Sequence, residues 1–258
     1  MEVIVERVIP VSSESLWSYV STSRGLSAWH ADQVHGELSQ GAFTARYPTL
    51  GAELILRVEQ VKVGEAITLT AGASRVELAL APLGAASTLM RITHRGLDQS
   101  DDLPGFRASW ALALALLDLA ASRHPNTKRE VHWFFGRADV PAELIHYYFS
   151  TRLGLTEWLG TTDQDVGANG SAIHLRLTSQ IALSGEVLCN EVGRDLCLIW
   201  SELGDAALVL RTLPAGGSER KLALAVSTFG RGLDKPIATA LTTALHRLQE
   251  RLRQVGKS

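Results

Sequence analysis

Cysteine is nearly absent, with two residues in 258. A chain of this length cannot rest on a disulfide framework with so few. Cys189 and Cys197 flank the segment NEVGRDL, and a hairpin centred on Gly193 would set them opposite each other. A disulfide is conceivable there, but buried thiols are the expectation for a cytosolic chain. Charge of one sign is also missing. The formal net charge is −2, which offers no basic surface for nucleic acid or an anionic membrane. Long hydrophobic runs are missing too: the longest, Ala108 to Ala121, is interrupted by Asp118 and falls short of a membrane span. The opening MEVIVERVIP reads as a strand and not as a basic-plus-apolar leader. Together these absences predict a cytoplasmic protein. Finally, there is no GxSxG, no HExxH, no phosphate loop and no dinucleotide fingerprint. The sequence therefore announces no nucleophile and predicts no cofactor and no resident metal.

What is present is a repeat. Shifted by 129 residues, Val11 to Trp29 (VSSESLWSYVSTSRGLSAW) falls on Val140 to Trp158 (VPAELIHYYFSTRLGLTEW). Eight of the nineteen positions are identical: Val11/Val140, Glu14/Glu143, Tyr19/Tyr148, Ser21/Ser150, Thr22/Thr151, Gly25/Gly154, Leu26/Leu155 and Trp29/Trp158. The same shift pairs Val58, Val63 and Gly64 with Val187, Val192 and Gly193. A period this long is a domain and not a solenoid unit. Two copies of one domain are expected, over 1–124 and 129–258, joined by the short polar HPNTK. A hydrophobic content of 46% against 20% charged is that of globular domains that each bury a core. The cysteines have Gln60 and Thr68 as counterparts, so they are not part of the shared design.

Each copy shows the same order of elements. EVIVERVI alternates and is rich in β-branched residues, a strand. A short helix follows, capped by Ser12 or Ser13, and then a second short helix or turn closed by Trp29. Strands are predicted over 41–47, 52–61, 66–71, 76–80 and 88–96, and a long helix over 104–122 with Pro104 in its first turn. The second copy repeats the order with a strand over 129–136, helices over 141–149 and 155–159, strands between 171 and 229, and a helix over 236–255. Extra residues are expected around 214–220, offset by a longer loop in the first copy (LDQSDDLPGF). The fold class is α+β: an antiparallel sheet curved around one long C-terminal helix, twice over.

On these residues the chain resembles the SRPBCC superfamily, the helix-grip fold of START domains and birch-pollen-type allergens. Within it, the likeness is closest to the family named for the activator of the heat-shock-protein-90 ATPase. The resemblance rests on VIVERVIPVSSESLWSYVS, Trp29, the strand 54–61 with 66–71, and GFRASWALALALLDLAAS. In the second copy it rests on ADVPAELIHYYFSTRLGLTEW and the last helix. It implies a hydrophobic cavity between sheet and long helix, where members of the superfamily bind lipids, polyketides, hormones or drugs. By this likeness Trp29, Phe43, Tyr47, Phe106 and Trp110 face the cavity of the first copy. Trp158, Ile173 and Leu241 do so in the second. Trp110 has Thr239 at the shifted position, so unequal binding by the two halves is expected.

Other constellations are weaker. His30, Asp32 and His35 crowd AWHADQVHG and could hold a metal or move protons, but their spacing is no recognised ligand pattern. Asp163, Asp165 and Asn169 resemble a calcium loop with its glycine misplaced and its final glutamate missing, so a polar turn is expected. Glu6, Arg7 and Glu77 lie on strands and could point inward; by alternation such residues more often face solvent, and the sequence assigns neither face to them. In the second long helix Ile237, Leu241, Leu245, Leu248, Leu252 and Val255 form one stripe, whereas ASWALALALLDLAA is apolar nearly all round. The outer face of that first helix is therefore expected to pack against the second copy or another subunit. The expected function is non-catalytic binding of a small apolar or amphipathic molecule, mainly by the first copy. The alternatives are a chaperone-associated interaction module and a cyclase- or hydrolase-type enzyme using His30, Asp32 or His35. A monomer or homodimer is expected, with a protein partner conceivable and no nucleic-acid or membrane partner.

Overall fold

The computed structural model describes residues 1–99, 101–216 and 219–256. It divides into two compact units, Met1–Arg129 and Glu130–Ser258. Each is a helix-grip fold.

The first unit runs β1 (Glu2–Ile9), α1 (Ser13–Ser21), α2 (Ser23–Ser27), β2 (Gln33–Glu37), β3 (Ala42–Tyr47), β4 (Ala52–Lys62), β5 (Ala66–Ala71), β6 (Ser74–Gly84), β7 (Ser87–Arg95) and α3 (Leu103–Asp118). The strands form one antiparallel sheet in the order β1-β7-β6-β5-β4-β3-β2. Strand β2 was not legible in the sequence, because it is a five-residue edge strand with Val34 as its buried side chain. Ser12 caps α1 through the amide of Ser15, and Asp102 caps α3 through the amide of Gly105. Past Asp118 the helix widens into a π-turn over Leu119–Arg123.

Asp118, the charge that interrupts the apolar run, accepts from Arg7 Nε at 2.8 Å. Arg7 shares the alternating face of β1 with the buried Val3 and Ile9, so it takes the inward of the two orientations the sequence left open. Glu6 and Glu77 do lie on exposed ion pairs, with Arg91 and Arg95. Counted to Arg123 the helix spans 21 residues, longer than its apolar run, and by length and composition alone it would reach across a bilayer. Half of its most apolar window is buried, as in a core helix. Buried residues occur on several sides of it: Ala108, Leu112 and Ala115 on one, Leu114 and Leu117 on another.

The second unit runs β8 (Arg129–Ala138), α4 (Ala142–Ser150), α5 (Arg152–Trp158), β9 (Ala172–Arg176), β10 (Ala182–Glu191), β11 (Asp195–Trp200), β12 (Ala206–Gly216), β13 (Glu219–Phe229) and α6 (Lys235–Val255). Its sheet order is β8-β13-β12-β11-β10-β9. Helix α6 buries Ile237, Leu241, Leu245, Leu248 and Leu252 in one continuous core with the strands. Cys189 and Cys197 pair directly across β10 and β11, and both are buried. Asp165 and Asn169 of the loop before β9 tie it down, accepting from the amides of Arg152 and Asn190. Arg129, the last residue of the first unit, donates to Ala31 O at 2.7 Å and to Trp29 O at 3.5 Å.

The identical residues of the sequence repeat have identical tasks. Trp29 Nε1 donates to Tyr19 O at 3.0 Å, and Trp158 Nε1 donates to Tyr148 O at 2.8 Å. Thr22 and Thr151 cap α2 and α5 through the amides of Gly25 and Gly154. A Cβ on Gly25 would lie 2.2 Å from Ser18 O, and one on Gly154 2.4 Å from Tyr147 O, so only glycine allows the helices to close up. Both central hairpins carry a bulge, between Val58 and Gln60 and between Val187 and Cys189.

The shift of 129 residues holds up to the ends of β5 and β11 and then changes. The turn after β5 is Gly72–Ala73, whereas the turn after β11 is Ser201–Asp205, with a 3₁₀ turn at Ser201–Leu203. From there the offset is 132, and it persists to the helix caps Asp102 and Asp234. The extra residues expected around 214–220 are therefore found at 201–205. Residues 217–218 lie outside the described residues, but the flanking pairs Gly84↔Ser87 and Gly216↔Glu219 span equal numbers of residues. The longer loop of the first unit needs no compensating insertion: β13 simply extends further than β7 before its helix begins.

Candidate functional site

The first unit contains a cavity of about 280 Å³ between the inner face of its sheet and the start of α3. It is near the lower end of the range for small-molecule pockets, about 300–1,000 Å³. Its walls follow from strand and helix periodicity. Leu54 and Leu56, Leu69 and Ala71, and Ser74, Val76 and Leu78 alternate on β4, β5 and β6 and so share one face. Phe106 and Trp110 are one helical turn apart. Leu26, Trp29, His30 and His94 complete the lining. Among the described residues no aspartate, glutamate, lysine or arginine lines it.

Polar character is confined to a small aromatic cluster. Trp110 Nε1 donates to His94 Nδ1 at 3.2 Å. The His94 ring meets Phe106 edge-on at 4.9 Å, and His30 stacks on Trp110 at 5.7 Å with 9° between planes. His94 sits on β7, paired with Val3 and Val76, and is 4% exposed. Its Nε2 is buried and has no hydrogen-bond partner. Burial lowers His30 to about 4, with the nearby Arg129 cation acting in the same direction. Burial also lowers His94, opposed by Asp101. Both rings are therefore neutral at pH 7. Arg129 itself is brought down to about 10 by burial, with Asp32 and Tyr47 opposing, and stays a cation.

The second unit has only a void of about 10 Å³ in the corresponding place, lined by Leu177, Leu183, Trp200, Leu203, Leu208, Val226, Ile237 and Leu241. Trp200 stands at the offset position of Ala71. Gly185, at that of Leu56, makes room for it, since a Cβ there would lie 2.9 Å from the Trp200 ring and 1.8 Å from Ile199 O. Val226 replaces His94 at the second offset. Leu203, from the lengthened turn, adds to the filling.

Of the residues singled out from the sequence, the structure gathers Trp29, Phe106 and Trp110 on the cavity wall. Phe43 is fully buried outside that wall. Tyr47 is also outside it, donating its hydroxyl to His30 O at 3.3 Å. Trp158 and Ile173 are core residues of the second unit, and Leu241 touches the small void. His30, Asp32 and His35 do not converge. His30 lines the cavity, whereas Asp32 and His35 line a separate recess of about 270 Å³ with Arg24, Lys128 and Arg129. Among the described residues no cluster of three or more His, Cys, Asp or Glu could hold a metal ion. His94, Leu56, Ala71 and Ser74 escaped the sequence reading. His94 was accessible by alternation, since Met90, Ile92 and His94 share the face opposite Arg91 and Arg95.

No protein-family profile matches the chain, and no curated protein matches it. Solved structures do. SSP2350 from Staphylococcus saprophyticus is 23% identical over 46% of this chain and 90% of its own, with a TM-score of 0.43. The Aha1 dimer from Colwellia psychrerythraea is 16% identical over 49% of this chain and 99% of its own, with a TM-score of 0.43. DynU16, from the dynemicin biosynthetic locus, is 16% identical over 97% of this chain and 98% of its own, with a TM-score of 0.42. Likenesses of this order say nothing about activity.

Proposed function

We propose that the protein binds a small apolar molecule, without catalysis, in the cavity of its first unit. The observation that carries this reading is the contrast between about 280 Å³ of apolar-walled space in one unit and about 10 Å³ in the other. A core with no binding task closes, because every unfilled ångström costs dispersion and transfer energy. The second unit is such a core and serves as a scaffold. That the two units are copies of one ancestral domain is part of the proposal, supported by the shared caps, bulges and Trp-to-carbonyl bonds.

Docking of a partner protein finds less support. The outer sheet face of the first unit carries exposed ion pairs, Arg91–Glu6, Arg95–Glu2 and Arg75–Glu59, as a solvated face does. The enzyme alternative loses its constellation, since His30 is separated from Asp32 and His35.

The test is native mass spectrometry of freshly purified protein, followed by titration with the neutral fluorophore N-phenyl-1-naphthylamine. A bound small molecule that leaves on denaturation, or saturable uptake of one fluorophore per chain, is expected. A bare mass together with no uptake overturns the reading.

A further inference from the structure

The recess that holds Asp32 and His35 is built by a segment that folds back on the first unit. A turn closes after His124, whose carbonyl accepts from the Thr127 amide, with Asn126 in the left-handed region at φ 60°. It lays Thr127, Lys128 and Arg129 against α2 and β2, and together they enclose about 270 Å³. Arg24 donates to Asn126 O and so ties α2 to the turn. Arg129 stands out among the lining residues. It is 8% exposed, its bonds run to the carbonyls of Ala31 and Trp29, and its Nε has no partner among the described residues. A buried cation is costly unless a counter-charge meets it, and carbonyl dipoles supply only part of one. Among the described residues Asp32 is the one carboxylate on the wall, and it faces two further cations there, Arg24 and Lys128. Burial still brings Arg129 down to about 10, so the field of Asp32 offsets its desolvation only in part.

We propose that this recess binds a small dianionic oxyanion, phosphate or the phosphate group of a monoester. Arg24, Lys128 and Arg129 against Asp32 give its wall an excess of two positive charges, which a dianion neutralises. Arg24 and Lys128 are exposed and supply the donors, whereas Arg129 acts through its field and needs no contact. The site is separate from the apolar cavity and does not depend on what that cavity does. The second unit has no counterpart, since Leu153 and Thr161 stand 129 residues beyond Arg24 and Asp32.

Inorganic phosphate and glycerol 3-phosphate are titrated against the full-length protein by calorimetry, at constant ionic strength and about pH 8, where both are dianions. Saturable binding of one ion per chain is expected, at least roughly tenfold tighter than acetate with its single charge. A preference for one of the two phosphates names the source and supports the site either way. Arg24→Gln with Lys128→Gln should weaken binding at least about tenfold, with the circular dichroism spectrum retained. Arg129 is left intact because its bonds to Trp29 and Ala31 hold the fold. No saturable binding, acetate bound as tightly as phosphate, or an affinity that survives the double substitution overturns the proposal. Should the double variant not fold, NMR of the wild type decides. Phosphate-dependent amide shifts confined to residues 24–35 and 127–129 support the site, and shifts elsewhere defeat it.

Discussion

At the end of β5 the first unit has Ala71, which lines the cavity with Leu56; at the end of β11 the second has Trp200, paired with Gly185. Around this exchange the two units share backbone caps, a bulge and a buried tryptophan tied to a carbonyl. Their framework residues match and their cavity residues do not. Where the first unit has His94, Phe106 and Trp110, the offset of 132 puts the smaller Val226, Ala238 and Thr242, and the second unit is filled instead by Trp200 and by Leu203 from its longer turn. A helix-grip core is therefore open or closed by a handful of side chains, with the framework indifferent to the choice. The same physics explains why fold and binding capacity part company in this architecture: filling volume stabilises, and an open pocket forgoes that stabilisation.

The largest expected effect comes from closing the open unit. Leu56→Gly with Ala71→Trp should fill the cavity as the second unit does and lower probe affinity by more than about a hundredfold, with the circular dichroism spectrum retained. Unchanged binding would place the site elsewhere. The reverse change comes next. Trp200→Ala should destabilise the second unit by about 3–5 kcal/mol, read as a loss in urea midpoint, and leave probe binding by the first unit unaltered.

Acid should distinguish the units as well. His30 titrates at about 4 in the folded protein against 6.5 ordinarily, so its contribution is complete above pH 6.5 and fades toward pH 4. The fall amounts to about 3 kcal/mol. His94 and, in the second unit, His146 are lowered by burial and add losses of the same sign. Denaturation curves at pH 7, 5.5 and 4 should steepen this trend for the first unit, and His30→Phe should flatten it. The smallest expected effect concerns what the units share: Thr22→Ala and Thr151→Ala should each remove about 1 kcal/mol, equally in both. A marked inequality would show that the caps are not equivalent.

Much of the framework was legible because it is written in local terms. Thr22, Gly25 and Trp29 recur at 129 residues, and each acts on a neighbour within about ten positions in sequence. Strand alternation and the proline-marked long helices were readable for the same reason. The exceptions are instructive. Strand β2 is defined by its pairing to β3, not by its own composition. Arg7 turns inward because Asp118, 111 residues away, is there to receive it. The insertion at 201–205 was misplaced because the low identity of the strands beyond it gave no anchor until pairing registers were known.

By itself the sequence determined the α+β class, the order of elements, the inequality of the two halves at Trp110, and the absence of any local catalytic signature. Only tertiary structure decided which aromatics became walls and which became filling. Phe43, Tyr47 and Trp158 look no different in sequence from Trp29, Phe106 and Trp110, and a strand's alternation says which face a residue takes, not whether space remains beyond it. That space is set by the sum of side chains arriving from β4, β5, β6, β7 and α3 at one place. The unsatisfied nitrogen of His94 is likewise a property of the assembled site, because whether a donor finds a partner depends on what the rest of the chain brings near it.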